Sequence, residues 1–298
     1  MVRGTVSGRA LGALIDTLAR VDSARNALTT THWTQQELDA ILACPNCRGS
    51  LAVPRDSEAV CTGCGATYAR LAFGWDLIPP RERLNSAEWD AWQVLQDNGV
   101  SAYDADPEHN LAIGERADFA AFGAFCGLVG DVLDVGCGPQ AWPTHFSAAP
   151  PQTRFVGVDP LVGERPADYA QVRGLAEHLP FTGGVFDQVV FATTIDHFVD
   201  PVAALQEAIR VCRPGGSIAV FVGHKRDGAP PPRESPEWYR RLKPPSGYDD
   251  LFHVGRLDPA ATEELFARSG LRIEARERHV VDEFRSNHFF RLKPSRSA

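Results

Sequence analysis

A chain of 298 residues is long enough for one sizeable hydrophobic core and a smaller module beside it. Charged residues make up 23% and hydrophobic residues 44%, which is typical of a globular protein, and the formal net charge is −8. This acidic balance argues against a general nucleic-acid binder, because phosphate contacts require clustered cations. No apolar run approaches the roughly 20 residues of a membrane span, so no membrane partner is expected.

Residues 1–35 are predicted to form an N-terminal helical segment. Apolar residues recur there at helical spacing, and Asp16 and Arg20 interrupt them. The apolar positions are Leu11, Leu14, Ile15, Leu18 and Val21. This pattern is typical of an amphipathic helix rather than of a secretory signal peptide, which carries a continuous apolar stretch. We therefore expect a cytoplasmic protein.

Four of the seven cysteines form two Cys-x-x-Cys pairs, Cys44 with Cys47 and Cys61 with Cys64, and 13 residues separate the pairs. Each pair lies on a tight turn, and two such turns brought together supply four thiolates for tetrahedral zinc. A disulfide pair and a redox Cys-x-x-Cys are the alternatives, although a redox motif would open a helix of a βαβ unit and has no use for a second pair. A structural zinc is expected, since protein ligands would fill all four positions.

The residues around these cysteines resemble the small Trm112-type zinc-ribbon domain over about residues 36–82. The similarity rests on Leu38 to Cys44, Arg48 to Leu51, Tyr68 and the closing segment Gly74 to Pro80. The resemblance implies that Cys44, Cys47, Cys61 and Cys64 are the zinc ligands. In that family the ribbon typically partners a methyltransferase, and here it would be fused in front of one.

Two helices are predicted between the ribbon and the first buried strand. One begins with a capping signature at Ser86 and continues to about Leu95, and the other spans Glu115 to Cys126. The second helix carries three phenylalanines at helical spacing, which favours a place in the core over a substrate site. They are Phe119, Phe122 and Phe125.

The stretch from Val132 to Asp159 predicts a strand, a glycine turn, a helix and a second strand that ends in a carboxylate. Two parallel strands joined in this way form half of a Rossmann-like fold, whose ligands bind beyond the carboxyl ends of the strands. The glycines let the backbone approach a ligand, and Asp159, 21 residues after Gly138, can accept hydrogen bonds from two ribose hydroxyls. This pattern predicts an adenosine-type cofactor and leaves NAD, FAD and S-adenosylmethionine open.

Three further segments follow the turn in order: Gly174 to Phe181, Val185 to Phe191 and Arg210 to Gly216. Together with Asp134 just before the glycines, they resemble the class I S-adenosylmethionine-dependent methyltransferases over roughly residues 110–293. The resemblance implies an α/β, Rossmann-like fold for residues 83–298, with a seven-stranded sheet and helices on both faces. It also implies S-adenosylmethionine as the cofactor. The implied cofactor contacts are Asp134, Gly136, Gly138, Asp159, Leu175, Ala176 and Thr193.

Two residues depart from the pattern of that family. Gln140 stands where the third loop glycine is usual, and Leu175 replaces the acid that usually precedes Ala-Glu. The second change removes a side-chain partner for the adenine amino group and leaves the backbone near Leu175 and Ala176 for that contact. In related methyltransferases the region before the first strand covers the substrate pocket, so Trp92 and Tyr103 are expected near it.

The rest of the chain continues the alternation of strands and helices. Strands are predicted at 154–158, 171–174, 185–193 and 217–222, helices at 201–212 and 259–269, and an antiparallel edge pair at 271–281 and 287–293. Residues 223–252 break the pattern with glycines and prolines and are predicted to form a substrate-side insertion with a short helix from Glu237 to Leu242. Its cations could grip a phosphate or carboxylate. They are Lys225, Arg226, Arg233, Arg240, Arg241 and Lys243.

The segment from Thr193 to Asp200 follows the fourth strand and therefore lies at the ligand crevice. His197 is the first candidate for a general base or a substrate contact, with Asp196 beside it, because the pKa of histidine lies near the operating pH. A structural role for His197, in capping or in packing beneath the cofactor, stays open. His224 and His253 are interpreted as surface or loop-anchoring residues.

Three functions remain in order of preference. The first is methyl transfer to a small-molecule acceptor, such as a specialised metabolite or an activated sugar. The second is methylation of RNA or of a translation factor docked through the zinc ribbon. The third is a non-catalytic, cofactor-binding scaffold, for which Gln140 and Leu175 leave room. The acceptor atom and the oligomeric state are left open by the sequence.

Overall fold

The computed structural model describes residues 32–55, 57–107, 116–228 and 236–295. The N-terminal segment predicted for residues 1–35 therefore lies almost wholly outside the described residues, as do Glu115 at the start of one predicted helix and Arg233 in the insertion. Within the described ranges, no helix is both long and apolar enough to cross a membrane.

A small four-stranded antiparallel sheet carries the four paired cysteines. Its elements are α1 (Gln35–Ile41), β1 (Leu51–Arg55), β2 (Glu58–Cys61), β3 (Thr67–Leu71) and β4 (Gly74–Trp75), with the strands in sequential order. Helix α1 begins where Thr34 and Glu37 each accept a hydrogen bond from the backbone N–H of the other residue, which satisfies two N–H groups that the helix leaves free. We refer to α1 and β1–β4 as the cysteine module.

The second sheet has seven strands and is mixed. Its elements, with the helices that precede and connect them, are α2 (Ala87–Ala105), α3 (Ala117–Cys126), β5 (Asp131–Val135), β6 (Arg154–Asp159), β7 (Ala170–Arg173), β8 (Phe186–Ala192), α4 (Pro201–Val211), β9 (Cys212–Lys225), α5 (Glu237–Arg241), α6 (Pro259–Arg268), β10 (Leu271–Val280) and β11 (Arg285–Pro294). The strand order is β10-β11-β9-β8-β5-β6-β7. Strands β5 to β9 pair in parallel, and β11 is antiparallel to both β9 and β10. The predicted Rossmann-like, seven-stranded α/β fold is confirmed.

The central strands are buried on both faces, as parallel strands covered by helices usually are. Alternate residues of β5 enter different hydrophobic clusters: Leu133 and Val135 belong to the one that includes α4 and α6, and Val132 to the one that includes α3. Helix α4 begins at Pro201, where the Asp200 side chain accepts the N–H of Ala203 and acts as the N-cap. The core therefore lies on both sides of the sheet.

The prediction of a helix between the first two parallel strands, β5 and β6, is wrong. Only a single 3₁₀ turn, Thr144–Phe146, lies between β5 and β6. Proline removes a backbone donor and disfavours helical conformation in the residue before it, so closely spaced prolines prevent a continuous helix. The segment between the two strands contains Pro139, Pro143, Pro150 and Pro151.

The cysteine module packs against the edge of the large sheet at β7. Asp76, just after β4, forms a parallel bridge with Arg173 of β7, and the N–H of Leu77 donates to the Arg173 carbonyl at 2.8 Å. Leu42 forms a second bridge with Phe181. Trp75 and Leu77 are fully buried in the same hydrophobic cluster as the central strands. The module thus covers a strand edge that would otherwise expose unpaired backbone groups.

Element boundaries differ from the sequence predictions at two places. Helix α2 continues to Ala105, well past Leu95, and β9 begins at Cys212 rather than at residue 217. The Arg-Pro-Gly-Gly segment after Cys212 lies within β9 as an irregularity in its pairing with β8. A bulge of this kind adds residues to one strand without ending its pairing with the neighbouring strand. The proline and glycines of this segment therefore do not end β9.

Candidate active site

The glycine turn follows β5 and places its backbone at the carboxyl edge of the parallel strands. Gly136 and Gly138 have φ angles of 76° and 64°, which glycine adopts without steric cost. A Cβ atom at Gly136 would lie 2.6 Å from the Thr194 side chain. The turn therefore requires glycine at this position for both its conformation and its close contact.

Asp159 ends β6 and holds the glycine turn. Its Oδ2 accepts the N–H of Gly138 at 2.9 Å, and its Oδ1 accepts the N–H of Leu161 at 2.8 Å. Burial, together with the nearby charge of Asp134, raises the pKa of Asp159 to about 6. A carboxylate oxygen has more than one lone pair, so both oxygens can still accept hydrogen bonds from a ligand.

A cavity of about 510 Å³ opens beyond the carboxyl ends of β5, β6 and β8. Seven of the residues predicted for the site line it, namely Gly136, Gly138, Asp159, Leu175, Ala176, Thr193 and His197. Helix α2 contributes Trp92 and Tyr103 to the wall, and α5 contributes Trp238 and Tyr239. The cavity therefore lies where a doubly wound sheet binds its ligands, and aromatic rings form part of its wall.

Asp134 lies behind the glycine turn rather than on the cavity wall. Its side chain is 1% exposed and its Oδ2 lies 3.1 Å from Nε2 of His145. Asp134 Oδ1 and His145 Nδ1 are buried and have no hydrogen-bond partner among the described residues. Sequence reasoning did not single out His145, because only the fold of residues 139–152 brings it to Asp134.

Thr193 has a backbone conformation that is rare for its residue type. Its φ angle is 63°, and positive φ is a genuine outlier for a β-branched side chain. The N–H of Thr193 donates to the Phe221 carbonyl at 3.0 Å, and Thr194 Oγ1 donates to the Val135 carbonyl at 2.9 Å. These contacts hold the turn after β8 in its strained form beside the glycine turn, where backbone strain is typical of functional sites.

Two histidines meet at the wall of the cavity. The rings of His197 and His253 are 4.4 Å apart between centroids, and both residues line the cavity. Nδ1 of His197 donates to the Phe252 carbonyl at 3.0 Å, since a carbonyl can only accept, and its Nε2 therefore carries a lone pair. Burial lowers the pKa of His197, so its imidazole is neutral at pH 7.

His253 is fixed by a carboxylate. Its Nδ1 lies 2.7 Å from Asp250 Oδ1, which also accepts the N–H groups of Phe252 and His253. Burial opposes ionisation of Asp250, but these hydrogen bonds hold its pKa well below the usual range. Because Asp250 is ionised, the short contact makes Nδ1 of His253 the donor. The sequence-based interpretation of His253 as a loop anchor missed its place beside His197, since 55 residues separate the two in the chain.

Asp196 does not line the cavity but lies behind the two histidines. Its carboxylate oxygens are 3.9 Å from Nε2 of His197 and 3.9 Å from Nε2 of His253. Glu177, which sequence reasoning did not select, does line the cavity and accepts the N–H of Val199 at 2.8 Å. Burial raises the pKa of Glu177 to about 7.

The four paired cysteines converge in the cysteine module. Their Sγ atoms lie within 4.8 Å of one another, with 3.7 Å between Cys44 and Cys64 and 3.4 Å between Cys47 and Cys61. Zinc–sulfur bonds of about 2.3 Å in a tetrahedron place sulfurs about 3.8 Å apart, so these positions fit a zinc ion. The backbone N–H of Ala66 helps to lower the pKa of the Cys64 thiol to about 6, which favours the thiolate that a metal requires.

Comparison with known proteins finds a family match for the centre of the chain. Residues 133–220 match the family model described as Methyltransferase domain. An uncharacterised methyltransferase of Schizosaccharomyces pombe is 33% identical over 104 residues, which are 29% of this chain and 37% of that protein. A demethylmenaquinone methyltransferase of a Mycobacterium species is 41% identical over 93 residues, which are 30% of this chain and 40% of that protein. The chain thus spans less than half the length of these relatives.

Among solved structures, one similar chain comes from the complex between the Haloferax volcanii Trm112 methyltransferase activator and a putative methyltransferase. It is 16% identical with a TM-score of 0.48, over 66% of this chain and 97% of that chain. The family match itself covers β5 to most of β9, and it contains the glycine turn, Asp159 and His197. The centre of this chain is therefore similar to a methyltransferase domain.

Proposed function

We propose that the protein transfers a methyl group from S-adenosylmethionine to a small-molecule acceptor bound in the cavity. The observation that carries this proposal is the convergence of the glycine turn, Asp159 and His197 on one cavity at the carboxyl edge of a Rossmann-like sheet. The match of residues 133–220 to a methyltransferase domain supports it.

The cofactor end of the cavity lies at the glycine turn. We assign the ribose hydroxyls to Asp159, whose oxygens already accept two N–H groups and keep further lone pairs. The backbone near Leu175 and Ala176 is assigned to adenine, and Gly136, Gly138 and Thr193 to close backbone contact. Asp134 supports this arrangement from behind the turn, where it holds His145.

The acceptor end of the cavity is aromatic. Trp92, Trp238, Tyr239 and Phe252 line it, and no described lysine or arginine does. The described members of the loop cations that suggested an anionic acceptor do not line it, so this lining favours an apolar specialised metabolite over an activated sugar. Burial of such an acceptor also excludes water from the reacting atoms, which strengthens electrostatic interactions there.

His197 is the group at which the acceptor would be activated. When bound, S-adenosylmethionine supplies a methyl group on a positively charged sulfur, and the acceptor takes this methyl group by in-line displacement. His197 lines the cavity wall and keeps the lone pair on Nε2, and the Phe252 carbonyl fixes the ring orientation. Asp196 lies 3.9 Å away and would stabilise positive charge at the imidazole. Trp92 and Tyr103, on α2, also line the cavity.

The cysteine module is assigned a structural zinc ion held by Cys44, Cys47, Cys61 and Cys64. Four sulfur ligands leave no open position for substrate. Cysteines that serve as metal ligands rather than disulfides are typical of a reducing compartment, which supports a cytoplasmic location. The module lies against β7 of its own chain, and this placement argues against the alternative in which it docks RNA or a translation factor.

Calorimetric titration of the protein with S-adenosylmethionine and S-adenosylhomocysteine tests the proposal. We expect binding in the wild type and weaker binding in Asp159→Ala, followed by release of S-adenosylhomocysteine in the presence of apolar hydroxylated acceptors. Binding without turnover on any acceptor, small or macromolecular, would favour the scaffold. Absence of binding to either ligand would refute the cofactor assignment.

A further inference from the structure

The two histidines and Asp196 form a cluster of potential metal ligands outside the cysteine module. One atom from each residue, an imidazole nitrogen or a carboxylate oxygen, lies within 4.8 Å of the others. Both histidines line the cavity, and the Asp196 side chain is 12% exposed behind them. The three groups come from two loops, one after β8 and one before α6, which the fold brings together.

Each imidazole is oriented in the way that metal-binding histidines usually are. A ligating histidine almost always donates its other ring N–H to a backbone carbonyl or a carboxylate, which fixes the tautomer. His197 uses the Phe252 carbonyl for this contact and His253 uses Asp250. In the tautomer that these contacts fix, each neutral ring keeps its lone pair on Nε2, and each Nε2 lies 3.9 Å from Asp196.

The local charge favours a cation over an anion. Among the residues that the structure describes, two carboxylates, Asp196 and Asp250, face a single guanidinium, that of Arg256. Arg256 forms two hydrogen bonds to Asp250, at 3.0 and 2.7 Å, but comes no closer than 3.8 Å to Asp196. That separation is too long for a hydrogen bond, so Arg256 neutralises Asp250 and leaves the Asp196 oxygens available to a ligand.

We propose that Asp196, His197 and His253 bind a divalent transition-metal ion at the cavity wall. Two imidazoles and one carboxylate suit zinc or ferrous iron, whereas magnesium and calcium prefer sets of oxygen ligands. Zinc–ligand bonds of about 2.0–2.1 Å place neighbouring ligand atoms about 3.3 Å apart, so the contacts of 3.9 Å need to close by about 0.6 Å. We expect rotation of the Asp196 side chain to supply a change of this size.

Bound metal would define the class of acceptor and replace His197 as the activating group. Because both histidines line the cavity, we expect an acceptor hydroxyl bound there to take a position that protein does not fill. The metal lowers the pKa of that hydroxyl, and its proton is released to bulk water before the cavity is closed to solvent for methyl transfer. The oxygen lone pair then forms the bond to the methyl carbon, while the electrons of the sulfur–carbon bond stay with sulfur as S-adenosylhomocysteine. This part of the inference rests on the proposed function, but metal binding itself does not.

Titration with Zn²⁺ of protein whose cysteine module is already zinc-loaded tests the site. We expect the wild type to take up one further zinc per chain. His253→Gln and Asp196→Asn should abolish this uptake, and Asp250→Asn should weaken it by about 10–100-fold through loss of the orienting hydrogen bond. His279→Ala, a histidine on β10 that pairs with Glu277 away from the cavity, should keep it.

The same samples separate failure of this inference from failure of the proposed function. Co²⁺ in the cysteine module gives a sulfur-to-metal charge-transfer band, and Co²⁺ in the second site should add absorption without a sulfur band. Retained S-adenosylhomocysteine binding and module zinc show that each variant is folded. If the wild type binds S-adenosylhomocysteine but takes up no second metal ion, or if the variants take it up equally, the metal site is refuted and His197 acts alone.

Discussion

The cysteine module and the ligand cavity are built in opposite ways. All four cysteines of the module lie between Cys44 and Cys64, and each pair is set by a local turn. The cavity instead draws on residues from Trp92 to His253, brought together by parallel strands and by the helices that cover them. Local spacing therefore identifies the first site from sequence, whereas the second depends on topology.

The cysteine module and the large sheet nevertheless stabilise each other through a shared hydrophobic core. Trp75 and Leu77 pack in the hydrophobic cluster that contains the central strands of the large sheet. The Trp75 indole N–H donates to Asp39 at 2.8 Å. A module of this size cannot bury enough apolar surface by itself, so it depends on a metal and on the sheet together. Substitutions in each region separate these two contributions.

Loss of a cysteine should have the largest effect. We expect Cys61→Ser to lose one zinc per chain and to unfold the module, because zinc contributes on the order of 10 kcal/mol to folding of comparable small domains. Metal content and near-ultraviolet circular dichroism measure this. Cys212→Ala, outside the module, serves as the control. Unchanged zinc content in Cys61→Ser would contradict four-sulfur ligation.

Removal of the Trp75 side chain tests the contact between module and sheet. Trp75→Ala should lower the free energy of unfolding by about 3–5 kcal/mol, since a fully buried ring is replaced by a cavity and Asp39 loses its partner. Denaturant unfolding gives the value, and Phe73→Ala, at a half-exposed ring nearby, is the control. A single transition would show that module and sheet unfold together, and two would show that the module is independent.

Asp159 tests the cavity at its cofactor end. Asp159→Ala should weaken binding of S-adenosylmethionine by roughly 10–100-fold, as expected when hydrogen bonds to a charged group are lost. Calorimetry provides the affinity, and Asp168→Ala, an acid outside the cavity, provides the control. Equal affinities of wild type and Asp159→Ala would place the ribose elsewhere.

The pH dependence of cofactor binding should be smaller and of defined sign. Ribose hydroxyls donate to the ionised carboxylate, and the pKa of Asp159 is about 6, so affinity should be about tenfold lower at pH 5 than at pH 7.5. Because folding raises this pKa from 3.8, the contribution of Asp159 to the free energy of unfolding decreases as pH rises from about 4 to 6. Titration of Asp159 therefore does not destabilise the fold in acid, so unfolding caused by this residue cannot explain weaker cofactor binding at low pH. Asp159→Asn should show a flatter profile.

The smallest expected effect concerns an ion pair across the boundary between the two regions. Arg48 of the module lies 2.9 Å from Glu207 on α4, but its side chain is 65% exposed. Arg48→Ala should change the free energy of unfolding by less than about 1 kcal/mol. Arg210→Ala should cost more, since Arg210 binds Glu207 and also two backbone carbonyls. Equal costs would mean that the exposed pair stabilises the boundary more than its exposure suggests.

Most elements of the large sheet could be predicted from sequence, because buried parallel strands read as short apolar runs between breakers. The edge pair β10 and β11 is confirmed, with boundaries within two residues. The missing helix between β5 and β6 and the length of β9 could not be read in this way. In the first case prolines prevent the helix that was predicted, and in the second a bulge lets the strand continue through residues that usually end one.

By itself the sequence determined the α/β fold, the two Cys-x-x-Cys turns, the glycine turn and the acid that follows the next strand, because each depends on residues close together in the chain. Only the tertiary structure decided that His253 and Asp250 join His197, that Asp134 holds His145 behind the turn, and that the cysteine module covers β7. These contacts join residues distant in sequence, and no local periodicity or spacing encodes which distant segments the folded sheet brings together.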